Sequence, residues 1–272
     1  MSRPSTSRMS CPRCGVAAIV ADTATCEVCG FKLDAPVAVE REDVLSTVVT
    51  RQLSHEFELK EVVGRREGTL VMRAIEKSGG RRVCLKAVHR RGEDADAEVR
   101  FRTVMDAFAQ LDHPNLVPIL RYGTTDSLLW CAMQDVGAET LRTIFKRDGR
   151  MEPRAARRIA TQLVSALEYL HRRGLVHGDV KPENVLVDAE GWVRLAEPAF
   201  TRPRGQRPAW VPPEDLTRND RAPTSDQFGL AALLFECVAG EPPLEPGEQV
   251  ARFRPEVPVP MSNAIARALD AQ

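Results

Sequence analysis

The sequence predicts an α+β fold with two lobes, the first rich in sheet and the second in helix, preceded by a small cysteine module. Three observations predict it. From residue 55 the chain runs through short β-rich segments separated by turn residues. From residue 153 apolar residues recur at helical spacing, and a helix that is apolar nearly all round follows. Before residue 30, four of the seven cysteines fall into two CxxC pairs.

The length of 272 residues, 43% of them hydrophobic, suits one two-lobed domain, or one domain with a small module. Thirty-eight basic residues balance 38 acidic ones, so no overall field draws the chain to nucleic acid or to an anionic membrane. No uninterrupted apolar run reaches the eighteen or so residues that span a bilayer. GLAALLFECVAG is broken by Glu236 and reads as a buried helix. MSRPSTSRMS lacks the apolar stretch of a secretory signal, so a cytoplasmic location is expected.

In chain order, residues 1–10 read as disordered and 11–32 as a cysteine module. CPRCG and CEVCG place Cys11, Cys14, Cys26 and Cys29 on two tight turns, each relieved by a following glycine. Four thiolates close a tetrahedral zinc shell with no open position for catalysis; the competing reading is chance spacing or a redox dithiol. The segment resembles a zinc ribbon, which would not fold without its metal. Arg13 and Lys32 are too few to assign it a nucleic-acid role. Cys84, Cys131 and Cys237 stand in apolar surroundings and read as core thiols. Residues 33–54 read as a linker with one short helix. The main domain, 55–272, opens with strands at FELKEVV, TLVMRAI and RVCLKAV. A helix over 94–111 and two strands around LVPIL and LLWCAM complete the first half. Ile159, Leu163, Leu167 and Leu170 mark a long helix after Pro153, and 226–239 a central one.

HGDVKPENVLVD at 177–188 resembles the catalytic loop of protein kinases, H-R-D-L-K-P-x-N. VCLK at 83–86 matches the strand-three lysine motif, and HPNLV at 113–117 the turn after the regulatory helix. PPE at 212–214 stands where A-P-E belongs, and SDQFGLAALLFECVAGEPP at 225–243 matches the central helix. With these motifs in order from His55 onward, the chain resembles the bacterial Ser/Thr protein kinases, in which a zinc ribbon can precede the kinase domain. The resemblance implies a two-lobed protein-kinase-like fold, ATP and magnesium as cofactors, and a protein substrate or partner. It implies that Asp179 orients the substrate hydroxyl, Lys181 neutralises the migrating phosphoryl group and Asn184 holds a magnesium ion. Lys86 would clamp the α- and β-phosphates, and Gly64 would belong to the phosphate loop. Val71, Cys84 and Leu186 would sandwich the adenine, with Met133 as gatekeeper and Gln134 to Val136 as the hinge.

Against the family pattern, several positions depart. GRREGTLV at 64–71 keeps Gly64 but has Arg66 and Thr69 at the second and third glycines, with Gly68 one place out of register. The regulatory-helix glutamate falls on Val104; Glu98 and Asp106 lie nearby but out of phase. The D-F-G position reads Glu197-Pro198-Ala199, a longer carboxylate for magnesium, whose octahedron tolerates little error. Gly178 replaces the arginine before the catalytic aspartate, and Arg207 occupies the P+1 threonine position. In the family the A-P-E glutamate, here Glu214, pairs with an arginine beyond the penultimate helix; this chain stops at ALDAQ before that arginine, which reads as a trimmed lobe or a fragment of a longer protein. The departures favour a pseudokinase or scaffold. The intact Lys86, Asp179, Lys181 and Asn184 favour an atypical active kinase with Glu197 on magnesium. A third reading makes the zinc ribbon a nucleic-acid contact under control of the kinase lobe.

Overall fold

A computed structural model describes residues 8–10, 17–19, 44–66, 68–90, 96–199, 210–212 and 222–270. The proposed zinc ligands Cys11, Cys14, Cys26 and Cys29 lie outside the described residues, as do Arg207 and Glu214. The chain divides into two units, Met1–Ala109 with Ile119–Asp135 and Gln110–Pro118 with Val136–Gln272.

In the first unit two short strands, β1 (Arg8–Ser10) and β2 (Ala17–Ile19), pair antiparallel. Helix α1 (Val44–Leu53) follows. Strands β3 (Phe57–Arg66), β4 (Thr69–Glu76), β5 (Arg82–His89), β6 (Ile119–Thr124) and β7 (Leu128–Gln134) form one antiparallel sheet in the order β3-β4-β5-β7-β6. Side chains alternate across β4 and β5, so Leu70, Met72, Ala74, Val83, Leu85 and Ala87 share one face. Leu128, Trp130 and Ala132 of β7 join them, and Val48, Val49 and Leu53 of α1 fill the layer above. The short helix read in the 33–54 linker thus forms and is part of this core. Each aliphatic side chain buried there contributes about 1.5–3 kcal/mol. Phe57 meets Trp130 edge to face at 5.4 Å, and Arg121 lies over both rings. A Cβ on Gly123 would come within 2.8 Å of the Trp130 ring, which is why the residue opposite it is glycine. On the other face, α2 (Ala97–Phe108) leans on β6 through the Phe101–Tyr122 ring contact.

The strand expected around LVPIL is displaced. Pro118 has no N–H to give a ladder, so β6 begins after it at Ile119. Leu116 instead forms a parallel bridge with Leu195, and the Val117 N–H donates to the Leu195 carbonyl at 2.9 Å, both within the second unit.

The second unit starts its helices with β8 (Glu139–Thr140) and α3 (Leu141–Asp148), whose N-cap Thr140 accepts from the Thr143 N–H at 3.1 Å. Helix α4 (Pro153–His171) buries Ile159, Leu163, Leu167 and Leu170, the stripe expected from spacing, and Pro153 stands in its first turn. Strands β9 (Val185–Val187) and β10 (Val193–Leu195) pair with β8 in a three-stranded sheet, β10-β9-β8. Helix α5 (Pro223–Ala239) is buried over most of its surface and ends at Gly240, φ 92°. Glu236, the charge inside its apolar run, is buried and paired with Arg142 of α3. Helix α6 (Val259–Leu269) packs Ile265, Ala266 and Leu269 inward after a 3-10 turn at Val250–Arg252. Among the described residues, no helix is long and apolar enough to cross a membrane.

Candidate active site

The residues singled out in the sequence divide between the two units. In the first, register alone assembles a group of them. Val71 pairs with Lys86, Lys86 with Cys131, and Cys84 with Met133, so all five side chains project from the sheet face opposite α1. Gly64 stands opposite Val71, and a Cβ on it would lie 3.5 Å from the Val71 Cβ. Between β3 and β4, Gly68 stands in the turn and takes φ 70°. The glycine one place out of register is therefore the one that makes the turn. Met133 is buried, Cys84 half-buried, and Gln134 exposed at the end of β7. Arg73 shares this face directly opposite Cys84; its guanidinium pairs with Glu61 and lies 3.7 Å from Asp135. Those carboxylates raise its pKa further above the usual guanidinium value.

Helix α2 carries its two carboxylates elsewhere. Glu98 accepts from Arg102 at 3.1 Å and from the Thr124 hydroxyl at 3.0 Å, and Arg90 lies 2.9 Å away. The Thr124 and Arg102 bonds hold the Glu98 carboxyl below the usual carboxylate range. Asp106 accepts the Tyr122 hydroxyl. Val104, at the position of the expected glutamate, is half-buried.

In the second unit the loop from His177 to Asn184 is held by its backbone. Asp226, in the first turn of α5 and 1% exposed, accepts the N–H of His177 at 2.9 Å and of Gly178 at 2.7 Å. Its Oδ2 also lies 2.8 Å from His171 Nε2. Gly178 takes φ 71° to point its N–H there, a conformation that costs glycine little. The His177 ring is 3.1 Å from the Ala196 carbonyl, and burial lowers its pKa. Gly229 of α5 approaches so closely that a Cβ would sit 2.9 Å from the Val180 carbonyl oxygen.

On this frame Lys181 pairs with Asp179, and Asn184 Nδ2 donates to the Asp179 carbonyl and to its Oδ2, each at 2.8 Å. Asn184 is 2% exposed, and its Oδ1 accepts no hydrogen bond among the described residues, so it is free for a hard cation. Glu197, beside it through a 3.5 Å contact from Asn184 Nδ2 to the Glu197 carbonyl, is the one non-glycine described residue at positive φ, 63°. That conformation costs about 1–2 kcal/mol for a residue with a Cβ. Pro198 after it is buried. Leu186 projects from β9, opposite Thr140 and Arg194, and Val136 is half-buried. Among the described residues no three His, Cys, Asp or Glu side chains cluster as a metal site; the magnesium assignment rests on Asn184 with Glu197.

The SDQFG motif does not by itself give Asp226 this role. A carboxylate at the start of an otherwise apolar helix was the available signal, since a buried charge requires partners.

A sheet unit presenting a lysine, followed by a helical unit presenting an Asp-Lys-Asn loop, is the framework of a protein-kinase-type phosphotransferase. The family model for the protein kinase domain matches residues 57–262. The chain belongs to the Ser/Thr protein kinase family, related to the bacterial Pkn kinases. It is 27% identical to the Ser/Thr-protein kinase PknD of Mycobacterium tuberculosis over 240 residues, which are 78% of this chain and 36% of that one. PknA of the same organism is 28% identical over 208 residues, 70% of this chain and 48% of the relative. The chain thus spans a third to a half of the length of these curated relatives. Among solved structures, the Mycobacterium tuberculosis PknI kinase domain superposes with a TM-score of 0.71 at 24% identity, covering 80% of this chain and 88% of that one. Rad53 residues 1–466, in complex with AMP-PNP, gives 0.68 at 20% identity, covering 84% and 65%.

Proposed function

We propose that this chain is a kinase-domain signalling protein whose nucleotide-placing half is degraded, so that it acts mainly as a pseudokinase or scaffold for a protein partner, with phosphotransfer weak or absent. The observation that carries this reading is the commitment of α2: Glu98 is bound by Arg90, Arg102 and Thr124, Asp106 by Tyr122, and the intervening position is Val104. Arg66 and Thr69 in the hairpin and Glu197 at the metal position add to it. Phosphoryl transfer depends almost wholly on position and charge, so each placement defect alone can lower the rate by orders of magnitude.

ATP and magnesium are what family membership implies. Asn184 Oδ1 and the Glu197 carboxylate would hold the ion, which would screen charge on the phosphates. In this chain Asp179 would accept the hydroxyl proton, and Lys181, already beside it, would face the transferring group. The same Asn184 geometry, together with the left-handed backbone that sets Glu197, favours a second reading: an active atypical Ser/Thr kinase using Glu197 as a metal ligand. Zinc on Cys11, Cys14, Cys26 and Cys29, resting on the CxxCG spacing, and a cytoplasmic location belong to the same proposal.

Transfer of label from γ-labelled ATP to the chain itself and to a generic protein substrate separates the two readings. Little or no transfer is expected. Robust magnesium-dependent labelling that disappears in Asp179→Asn would establish the active kinase instead.

A further inference from the structure

The family match begins at residue 57, yet the sheet it opens is built on a helix that precedes it. Val71, Cys84 and Lys86 each alternate with residues anchored beneath α1. Val71 stands between Leu70, fully buried, and Met72; Lys86 stands between Leu85 and Ala87; Cys84 stands between Val83 and Leu85. Those neighbours share one apolar cluster with Val48, Val49 and Leu53 of α1. In a β-strand the two faces share one backbone, so fixing one set of side chains fixes the aim of the other.

Two polar contacts extend that hold to the rims of the sheet. Arg65, one residue past Gly64 in the hairpin, donates to the Ser46 hydroxyl of α1 at 3.4 Å. At the opposite rim, the Thr125 hydroxyl in the β6–β7 turn bonds to Gln52 of α1. Arg65 pairs across the hairpin with Leu70, so the Ser46 contact and the apolar anchor act on the same rung of the ladder.

We propose that α1 is a positioning element for the nucleotide half-site, with Val49 and Ser46 as positioning residues that fix the β3–β4 hairpin and the Val71–Lys86 face. This rests on the reading of that face as the one that takes nucleotide. It makes the segment before the matched kinase domain part of the site's machinery. Any change that lifts α1 would loosen the hairpin first, because the rung formed by Arg65 and Leu70 would lose both anchors together.

The test uses the full chain with Val49→Ala, Ser46→Ala and Ser46→Thr, and Ile265→Ala in α6 as a core substitution in the other unit. Two quantities are read: amide hydrogen exchange at residues 64–71, and binding of ATP with magnesium. Val49→Ala should speed hairpin exchange about tenfold and Ser46→Ala about threefold. ATP affinity should weaken in the same order, Ser46→Thr should restore both, and Ile265→Ala should leave the hairpin unchanged. Unaltered hairpin exchange in both α1 variants, or equal acceleration by Ile265→Ala, would overturn the proposal. Should Val49→Ala not fold, Ser46→Ala and its threonine rescue decide alone. Absence of ATP binding by the unmodified chain would overturn the nucleotide reading, and exchange alone would then decide whether α1 holds the hairpin.

Discussion

The His177–Asn184 loop and the sheet face proposed to take nucleotide are held by different means, and they differ in how much of the family pattern they keep. From His177 to Asn184 the loop is fixed by backbone groups donating to one buried carboxylate, with Asn184 tied back to Asp179. In the sheet unit, placement would depend on surface positions: glycines in the β3–β4 hairpin and a glutamate on α2 at the position of Val104. Those are the positions that have changed. A loop locked from beneath keeps its shape whatever happens to the nucleotide, whereas surface positions that only place the nucleotide can change without disturbing the core. The contrast teaches that a preserved catalytic loop is weak testimony to catalysis, because Asp226, His177 and Gly229 hold it as part of the core of the second unit.

The largest effect should come from Asp226→Ala. It strips partners from two loop N–H groups and from His171, and should cost about 3–5 kcal/mol, read as a lower urea midpoint. If stability survives, the loop is not held by its backbone and the comparison fails. Gly229→Ala should cost about 1–3 kcal/mol, since its Cβ would meet the Val180 carbonyl at 2.9 Å. Chemical shifts near Asp179 should move while those of the first unit stay in place.

A smaller effect should follow pH. Burial lowers the pKa of His177, and also of His113, below the ordinary imidazole value of about 6.5. In the interval between the two pKa values the unfolded chain binds more protons than the folded one, so stability rises with pH there. The contribution is complete above about pH 6.5 and is lost as pH falls below it. Asp226 and Asp179 favour the charged ring of His177 and Lys181 opposes it, but desolvation dominates. Urea midpoints measured from pH 8 to pH 5.5 should therefore fall on the acid side. A midpoint that rises toward pH 5.5 would mean that His177 folds protonated.

Much of this was legible in the sequence. The strand runs of β3, β4, β5 and β7 and the α4 stripe follow from periodicity, and the Asp179–Asn184 pattern from its motif. Three features were not. The LVPIL segment looked like one strand, but Pro118 splits it, and the halves join different units because proline cannot complete a ladder. Residues 44–53 are too short to announce themselves as core. Their burial depends on an apolar sheet face formed by residues up to Ala132, and no local window contains that information. The partners of Glu98 and Asp106 were equally hidden, since Thr124 and Tyr122 come from β6.

The proposed reading pairs a competent loop with a degraded nucleotide placement. Its most direct test is a titration of ATP with magnesium into the unmodified chain and into the Val104→Glu, Glu197→Asp double variant, which restores both carboxylates in their expected positions. Aspartate also tolerates the φ of 63° better than glutamate does. Weak binding by the unmodified chain is expected, with affinity at least about tenfold tighter in the double variant, a gain of about 1.4 kcal/mol. Tight magnesium-dependent binding by the unmodified chain, unimproved or worsened by the two substitutions, would contradict it and make Glu197 a working metal ligand.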